Sequence, residues 1–387
     1  MQGSRSATVF NDLPEWVVVH EILVRLPVKD VLRCHAVHRS WRSGTSTDAF
    51  ILDHHRYQPS LPIINHGKGI SRVVRTSGDD LKIRPVLRHE YDVIVHRATC
   101  DGLLILSQQE QSDFYVCNPA TRKCASLPHP PRRPHFLVSV AGFYRHHTSG
   151  EHRVLWVSYP WSYTLLDGSD VAIESLEYFV LMVGSDQPRS IQWPTVPEQR
   201  FIPDNWFYHC RAVHHRGSLH WAMGLNITVF DTIAETFRQM SRPTQLGDMV
   251  SLMDMGGALA LCRTSSECVT TLEDVWVLQD YDAETWGFLY QINLSVMEAS
   301  LPLDLQIKYV RSMAVMNERE LLVQNRRSRI LHCDIDGVFL ENVESEEHEN
   351  HWTLSWHRLQ ESMISLPLFE TQKQEAVNKE PLFSIVL

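Results

Sequence analysis

The sequence predicts an α+β multidomain chain: a small three-helix module followed by a large, mainly-β, propeller-like domain. Three observations carry that prediction. Residues Asn11 to Phe50 place apolar side chains at helical spacing between two Leu-Pro pairs. From about residue 60 the pattern changes to short apolar runs separated by Gly, Asn, Asp and Pro. One strand–turn–strand plan then recurs loosely, about 110 residues apart. The expected division is a helical module over 11–55, a β body over 60–370 and a tail over 371–387.

The first helix is expected to start at Asp12, a capping residue, with Pro14 in the first turn and Glu15 three residues on. Val18, Val19, Ile22, Leu23 and Leu26 share one face of it. Pro27 ends it, because proline disfavours helical geometry at Leu26 and lacks an N–H. A second helix is expected from about Val28 to Arg39, with Val31, Leu32, Cys34 and Val37 as its apolar positions. Trp41 falls just past it, and Ala49 to Tyr57 reads as a third. Three helices this short expose more apolar surface than they can bury among themselves. Either the body or a partner protein must cover the remainder.

In the body, strands are expected at Gly102–Ser107, Phe114–Cys117, His152–Tyr159, Glu177–Val183, Ser218–Ala222, Ile227–Asp231, Ala258–Cys262, Asp274–Leu278, Glu320–Val323, Ile330–Asp334 and Val338–Leu340. Asp336-Gly337 is a hairpin turn signal. The recurring plan is carried by FYVCNPATRKCASLP and ITVFDTIAETFRQMSRP: apolar strand, Asn-Pro or Asp-Thr turn, second strand. Many short antiparallel strands favour a propeller or a large sandwich, and the loose repeat supports the propeller.

Composition excludes several function classes. The net charge of −10 argues against a general nucleic-acid binder, which needs clustered cationic charge. No apolar run approaches the roughly 20 residues of a membrane helix, and the first ten residues lack a signal-peptide core. An intracellular, soluble chain is expected, in cytoplasm or nucleus. Its eight cysteines lie far apart with no CxxC pair, so no disulfide framework is expected in a reducing compartment.

Catalytic signals are missing as well. The sequence has no GxSxG, P-loop or HExxH motif. The adjacent pairs His54-His55, His146-His147 and His214-His215 diverge on a strand or a helix, so each is expected to be solvent-facing or structural. No cofactor and no metal is called for. Aromatic residues are more informative: Trp161, Tyr163, Trp206 and Tyr208 sit beside turn-forming residues and are expected target contacts, while most other tryptophans fill the core.

The N-terminal stretch LPEWVVVHEILVRLPVKDVLRCHAVHRSW resembles the F-box. The matching elements are Leu13-Pro14, Glu21-Ile22-Leu23, Arg25-Leu26-Pro27-Val28, Leu32-Arg33-Cys34 and Val37 through Trp41. After Trp41 the pattern departs: family members often carry an apolar pair and then Asp-Pro, where this chain has Gly44-Thr45-Ser46-Thr47-Asp48-Ala49-Phe50. The body resembles the F-box-associated domain of plant F-box proteins, a β-propeller-like substrate receptor. Cys100-Asp101-Gly102-Leu103-Leu104, Cys117-Asn118-Pro119-Ala120-Thr121-Arg122-Lys123, Gly217-Ser218-Leu219-His220-Trp221, Phe230-Asp231-Thr232 and Val275-Trp276-Val277-Leu278 carry that likeness in order.

The resemblance implies that Leu13, Pro14, Ile22, Leu23, Leu26, Pro27, Leu32, Val37 and Trp41 form the Skp1-facing or supporting set. It implies a non-catalytic adaptor that joins a cullin–RING ubiquitin ligase and recruits a target for degradation. A Skp1-binding scaffold without a role in ubiquitylation is the alternative.

Overall fold

The computed structural model describes residues 13–66, 69–77, 80–89, 94–108, 113–160, 176–192, 212–223, 226–246, 250–263, 272–293, 310–317, 319–325, 329–343, 352–371 and 383–385. The expected cap at Asp12, the aromatic residues at 161, 163, 206 and 208, and most of the tail lie outside them.

The N-terminal helical segment opens with α1 (Glu15–Val17), continues as a π-helical turn over Val18–Ile22, and closes as a 3₁₀ turn over Leu23–Arg25. The expected single α-helix is therefore wider in its middle. The cause is visible in burial: Val18 and Val19 are buried together, and so are Leu23 and Val24 five positions on, which is the π rather than the α period. Ile22 and Leu26, expected on the buried face, are only half-buried, and Val24 takes their place. Leu26 is extended (φ −76°, ψ 152°) ahead of Pro27, as the proline demands.

The segment continues with α2 (Val28–Val37), α3 (Arg39–Thr45) and α4 (Asp48–Tyr57). The expected second helix breaks at His38, which is extended (φ −141°), so Trp41 lies inside a helix of its own. Thr47 caps α4 by accepting the Phe50 N–H at 3.3 Å. Gly44 sits against Val19, where an added Cβ would come within 3.0 Å of a valine methyl. The stretch that departs from the F-box pattern thus has its own packing logic.

The body is built of β1 (Ser60–His66), β2 (Ile70–Ser77), β3 (Asp80–His89), β4 (Ile94–Cys100), β5 (Leu103–Gln108), β6 (Phe114–Asn118) and β7 (Lys123–Leu127). There follow β8 (Phe136–Arg145), β9 (His152–Pro160), β10 (Glu177–Met182), β11 (Arg189–Ile191), β12 (Val213–His215), β13 (Ser218–Met223), β14 (Asn226–Asp231) and β15 (Thr236–Met240). Next come β16 (Val250–Met255), β17 (Ala258–Arg263), β18 (Leu272–Asp280), β19 (Thr285–Asn293), β20 (Val310–Val315), β21 (Glu320–Asn325), β22 (Ile330–Asp334) and β23 (Phe339–Asn342). The chain closes with β24 (Trp352–Gln360), the short helix α5 (Leu368–Thr371) and β25 (Phe383–Ile385).

These strands form six antiparallel sheets: five of four consecutive strands, and a first sheet ordered β24-β1-β2-β3-β25. The C-terminal β24 supplies the inner strand of the first blade, pairing Ser60 with Gln360 and His66 with Trp352. A six-bladed ring is thereby closed by hydrogen bonds between the two ends of the body. Closure of the ring leaves each blade open only at its outer strand.

Each of the six blade–blade contacts has its own apolar core. Leu104 and Leu106 of blade 2 pack toward Ile63 and Val73 of blade 1, while Leu103 and Ile105 pack toward Val138 and Trp156 of blade 3. Ile64 turns the other way, to Leu322 and Ile330 of blade 6. Leu155 and Val157 meet Leu219 and Phe230 of blade 4, Val229 meets Leu261 of blade 5, and Ala260 meets Leu321 of blade 6. Alternate residues of one strand thus serve two interfaces, which is why these strands read as unbroken apolar runs.

The expected recurring plan is real. Its two copies are the β6–β7 hairpin of blade 2 and the β14–β15 hairpin of blade 4. In each, the last strand residue accepts two backbone N–H groups: Asn118 Oδ1 from Ala120 and Thr121, and Asp231 Oδ1 from Ile233 and Ala234. Asp280 of blade 5 does the same for Asp282 and Ala283. Four residues after each cap, Arg122, Glu235 and Glu284 adopt positive φ. A short polar side chain that holds its own turn explains the Asn/Asp requirement.

Candidate functional site: the helical segment and its seat on the propeller

The helical segment has a buried side and an outward side. Val18, Val19, Leu23, Val24, Val28, Val31 and Phe50 form its core, joined by Met363 from the body and flanked by Ala120 of the β6–β7 turn. Leu26, Leu32 and Trp41 are half-buried against that cluster. Outward stand Val37, at 73% exposed, Trp16, at 63%, and Leu13, at 38%, with Pro14 and Pro27 also exposed.

Of the residues singled out in the sequence, Leu13, Pro14, Pro27 and Val37 therefore present surface, Leu23 is wholly internal, and Ile22, Leu26, Leu32 and Trp41 lie between. Trp16 was not among them. Its signal was available: it sits two positions before the Val18-Val19 pair, off the apolar stripe of the first helix. Large aromatic residues are the side chains that most often anchor protein interfaces.

Helix α4 is the seat. His54, fully buried, donates through Nε2 to the Leu26 carbonyl at 2.8 Å, and Gln58 donates to the same carbonyl at 3.0 Å. Burial lowers the pKa of His54, against the opposing pull of that carbonyl. These two bonds satisfy the acceptor that Pro27 leaves open at the helix end. On its other side α4 meets the propeller: Ile51 and Leu52 pack on the core between blades 2 and 3. Gln360, the last residue of β24, donates to the carbonyls of His55 (2.8 Å) and Gln58 (2.9 Å).

The seat lies at one end of the propeller. In blade 3, Phe136, Pro160 and Ile191 mark one end and Arg145, His152 and Arg189 the other. His152 reaches across at that second end to the β4–β5 turn, Asp101-Gly102. Both turn residues have positive φ, 49° and 78°, which a side chain on Gly102 would make worse. A Cβ there would also stand 2.5 Å from the Gln360 carbonyl and 2.6 Å from Ser362 Oγ. Ser362 in turn donates to the Asp101 carbonyl at 2.6 Å, and buried Asn118 donates to the carbonyls of Ser362 (3.1 Å) and Ile364 (2.8 Å).

At this junction the Asp101 carboxylate accepts from His152 Nε2 at 3.1 Å, with His55 Nε2 3.8 Å from its other oxygen. Burial alone would raise the Asp101 pKa. The His152 hydrogen bond and the nearby His152, His55 and Arg145 outweigh it and hold the carboxyl below its usual range. Burial pushes the Cys100 thiol well up, helped by Asp101 and opposed by Arg145.

Among the described residues, no helix is long and apolar enough to cross a membrane. The chain is thus a closed six-bladed propeller that carries a small helical segment at the end marked by the Asp101-Gly102 turn. A family profile described as the F-box associated beta propeller domain matches residues 83–364, and the chain belongs to that family. Its relatives are F-box proteins of Arabidopsis thaliana. The one named F-box protein At5g49610 is 25% identical over 337 residues, spanning 81% of this chain and 88% of its own length. F-box protein At2g34280 is 27% identical over 329 residues, spanning 74% and 82%. Among solved structures, one described as YCF48 bound to D1 peptide aligns with 74% of this chain and 83% of its own at 8% identity and a TM-score of 0.36.

Proposed function

We propose that the chain is the substrate-recognition subunit of an SCF (Skp1–cullin–F-box) ubiquitin ligase. Residues 11–55 are its F-box and bind a Skp1-like adaptor; the propeller recruits a target protein. The observation that carries this reading is the outward apolar set Leu13, Trp16 and Val37 on a segment whose opposite side is already packed on the body. Exposed prolines beside it bring a fixed backbone without a donor to strand at an interface. Leu23 supports this face from within, and Leu26, Leu32 and Trp41 do so in part.

The helical segment packs at the end of the propeller that carries the Asp101-Gly102 turn, which supports target recruitment at the opposite end. Trp161 and Tyr163 follow Pro160, and Trp206 and Tyr208 follow Ile191, in the sequence between strands whose described ends lie at that opposite end. We assign these four to target contact. Ubiquitylation needs no nucleophile from this chain; holding a target lysine near a ubiquitin-loaded enzyme raises the effective concentration.

The test is co-precipitation of the full chain with Skp1-like adaptor and cullin, followed by proximity labelling with a variant lacking residues 11–55. The reading predicts that adaptor and cullin are recovered only with the intact chain, and that targets accumulate un-ubiquitylated on the deletion. Failure of the intact chain to recover either partner contradicts it. Recovery of both with unchanged ubiquitylation of every labelled protein leaves a scaffold instead.

A further inference from the structure

Two cysteines of blade 2 face each other across one rung of the β6–β7 ladder: Cys117 pairs directly with Cys124. Residues directly opposite in an antiparallel pair point to the same face of the sheet. Both side chains accordingly join the apolar cluster between blades 1 and 2. Among the described cysteines no other is so placed. Cys100 faces Leu103, Cys262 faces Ser251 and Val275, and Cys333 faces Leu321 and Phe339. Cys34 lies on α2.

The rung suits a covalent bond. Opposed Cα atoms of an antiparallel ladder stand about 4.5 or about 5.5 Å apart, according to the type of rung. A disulfide spans Cα separations of about 4.4–6.8 Å, so either type admits one. Both thiols are free and in contact. Burial pushes the Cys117 thiol well up, and its hydrogen bond to Cys124 adds to this. Cys117 thus keeps its proton and donates it to the Cys124 sulfur.

The two thiols differ in access. Cys117 is fully buried on β6, whereas Cys124 is half-buried on β7, the outer strand of its blade. An oxidant arriving from solvent meets Cys124 first, with Cys117 behind it. A sulfenic acid at Cys124 would form within reach of a second thiol that can condense with it.

The next rung, Asn118 with Lys123, grips the chain's closing segment. Asn118 donates to the Ser362 and Ile364 carbonyls, and Lys123 Nζ donates to Ser365 Oγ at 3.0 Å and Glu370 Oε1 at 2.6 Å. Ala120, in the turn itself, flanks the core of the helical segment.

We propose that Cys117 and Cys124 form a reversible disulfide, made by hydroperoxides, which braces the turn that holds the closing segment against the helical segment. In the first step Cys124 sulfur attacks a peroxide oxygen and the O–O bond breaks. Cys124 is oxidised to a sulfenic acid, and the peroxide's other oxygen leaves as water or an alcohol with the thiol proton. In the second step Cys117 sulfur attacks Cys124 sulfur and the S–O bond breaks. The hydroxyl leaves with the Cys117 proton as water. Two thiols and one peroxide thereby give one disulfide, one water, and a second water or an alcohol. The proposal stands independently of Skp1 binding.

The experiment uses the reduced full chain, freed of reductant, treated with a small excess of hydrogen peroxide, alkylated and digested with trypsin. Cleavage after Arg122 and Lys123 puts Cys117 and Cys124 in different peptides, so only an S–S bond joins them. The joined peptides should be the dominant cross-link and should separate on reduction with dithiothreitol. Hydrogen exchange at the Ala120, Thr121 and Arg122 amides, which are bonded within the turn, should slow at least about tenfold in the joined form. Cys117→Ala should stop at a sulfenic acid on Cys124 that dimedone traps. Cys124→Ala should leave Cys117 unmodified, and Cys34→Ala, a control thiol in the helical segment, should change nothing. Folded wild-type protein in which the two peptides stay separate overturns the proposal, whatever the variants do. So does a dominant cross-link between any other pair of cysteines. Unchanged exchange in the joined form overturns the bracing role.

Discussion

The two ends of the propeller are built on different principles. At the end that seats the helical segment, strands are joined by short turns: Asp101-Gly102, residues 119–122, Arg216-Gly217, residues 232–235, Gly256-Gly257 and residues 281–284. Most of the positive-φ residues lie there, held by Asn and Asp side chains and by contacts with the chain's closing segment. At the other end, residues 161–176, 192–212 and 294–309 form long connections between described strands. The contrast teaches a division of labour. One end is given to turn chemistry and to anchoring α4; the chain's longest connections follow strands that finish at the other.

The largest expected effect tests the anchoring end. Gly102→Ala should destabilise the protein by about 3 kcal/mol, from left-handed backbone strain plus collision with Gln360 and Ser362. Gly256→Ala, at the equivalent turn of blade 5, has open space around it and should cost only about 1 kcal/mol. Equal losses in chemical denaturation would show that the helical seat adds nothing to blade 2.

Acid sensitivity is next. His220 is fully buried at the blade 4–5 boundary, its Nε2 3.0 Å from the Tyr281 hydroxyl, and burial pushes its pKa down to about 4. The unfolded chain, with the ordinary value of 6.5, binds the proton first. Stability is therefore undiminished above pH 6.5 and falls as the pH drops toward 4, by up to about 3 kcal/mol. Denaturation midpoints of His220→Gln should show a flatter pH dependence over that window; an identical slope would remove His220 from the account.

A smaller effect separates two copies of the same turn. Asp231→Ala loses only its own turn bonds and should cost about 1 kcal/mol, whereas Asn118→Ala also frees the closing segment and should cost about 2–3 kcal/mol. Alanine at Trp161, Tyr163, Trp206 or Tyr208 is expected to reduce target capture in the co-precipitation described above.

Much of this was legible in the sequence, for physical reasons. Runs such as Leu103-Leu104-Ile105-Leu106 announced strands buried on both faces, and Asn118 and Asp231 announced their turns. Strands such as β3, which contains Pro85, and β24, interrupted by Ser355, His357 and Arg358, carry no clean alternation. They are held by their neighbours in the ring rather than by their own pattern. The break at His38 and the π turn were likewise hidden, since both follow from packing between helices. The contacts of His55 and His152 with Asp101 were invisible because they join α4 and two neighbouring blades that are distant in sequence. Each member of the His54-His55 pair serves a different neighbour, the Leu26 carbonyl and the Glu361 carbonyl.

The central claim is that the outward side of the helical segment exists to dock a partner and not to hold the fold. Isothermal titration of a Skp1-like adaptor into full-length Val37→Asp, paired with its unfolding midpoint, tests this most directly. Val37 is exposed, so the midpoint should match wild type within about 1–2 °C, while affinity should fall by at least about thirtyfold, the loss of an interface hot spot. Unchanged affinity in a stably folded Val37→Asp protein would contradict the account.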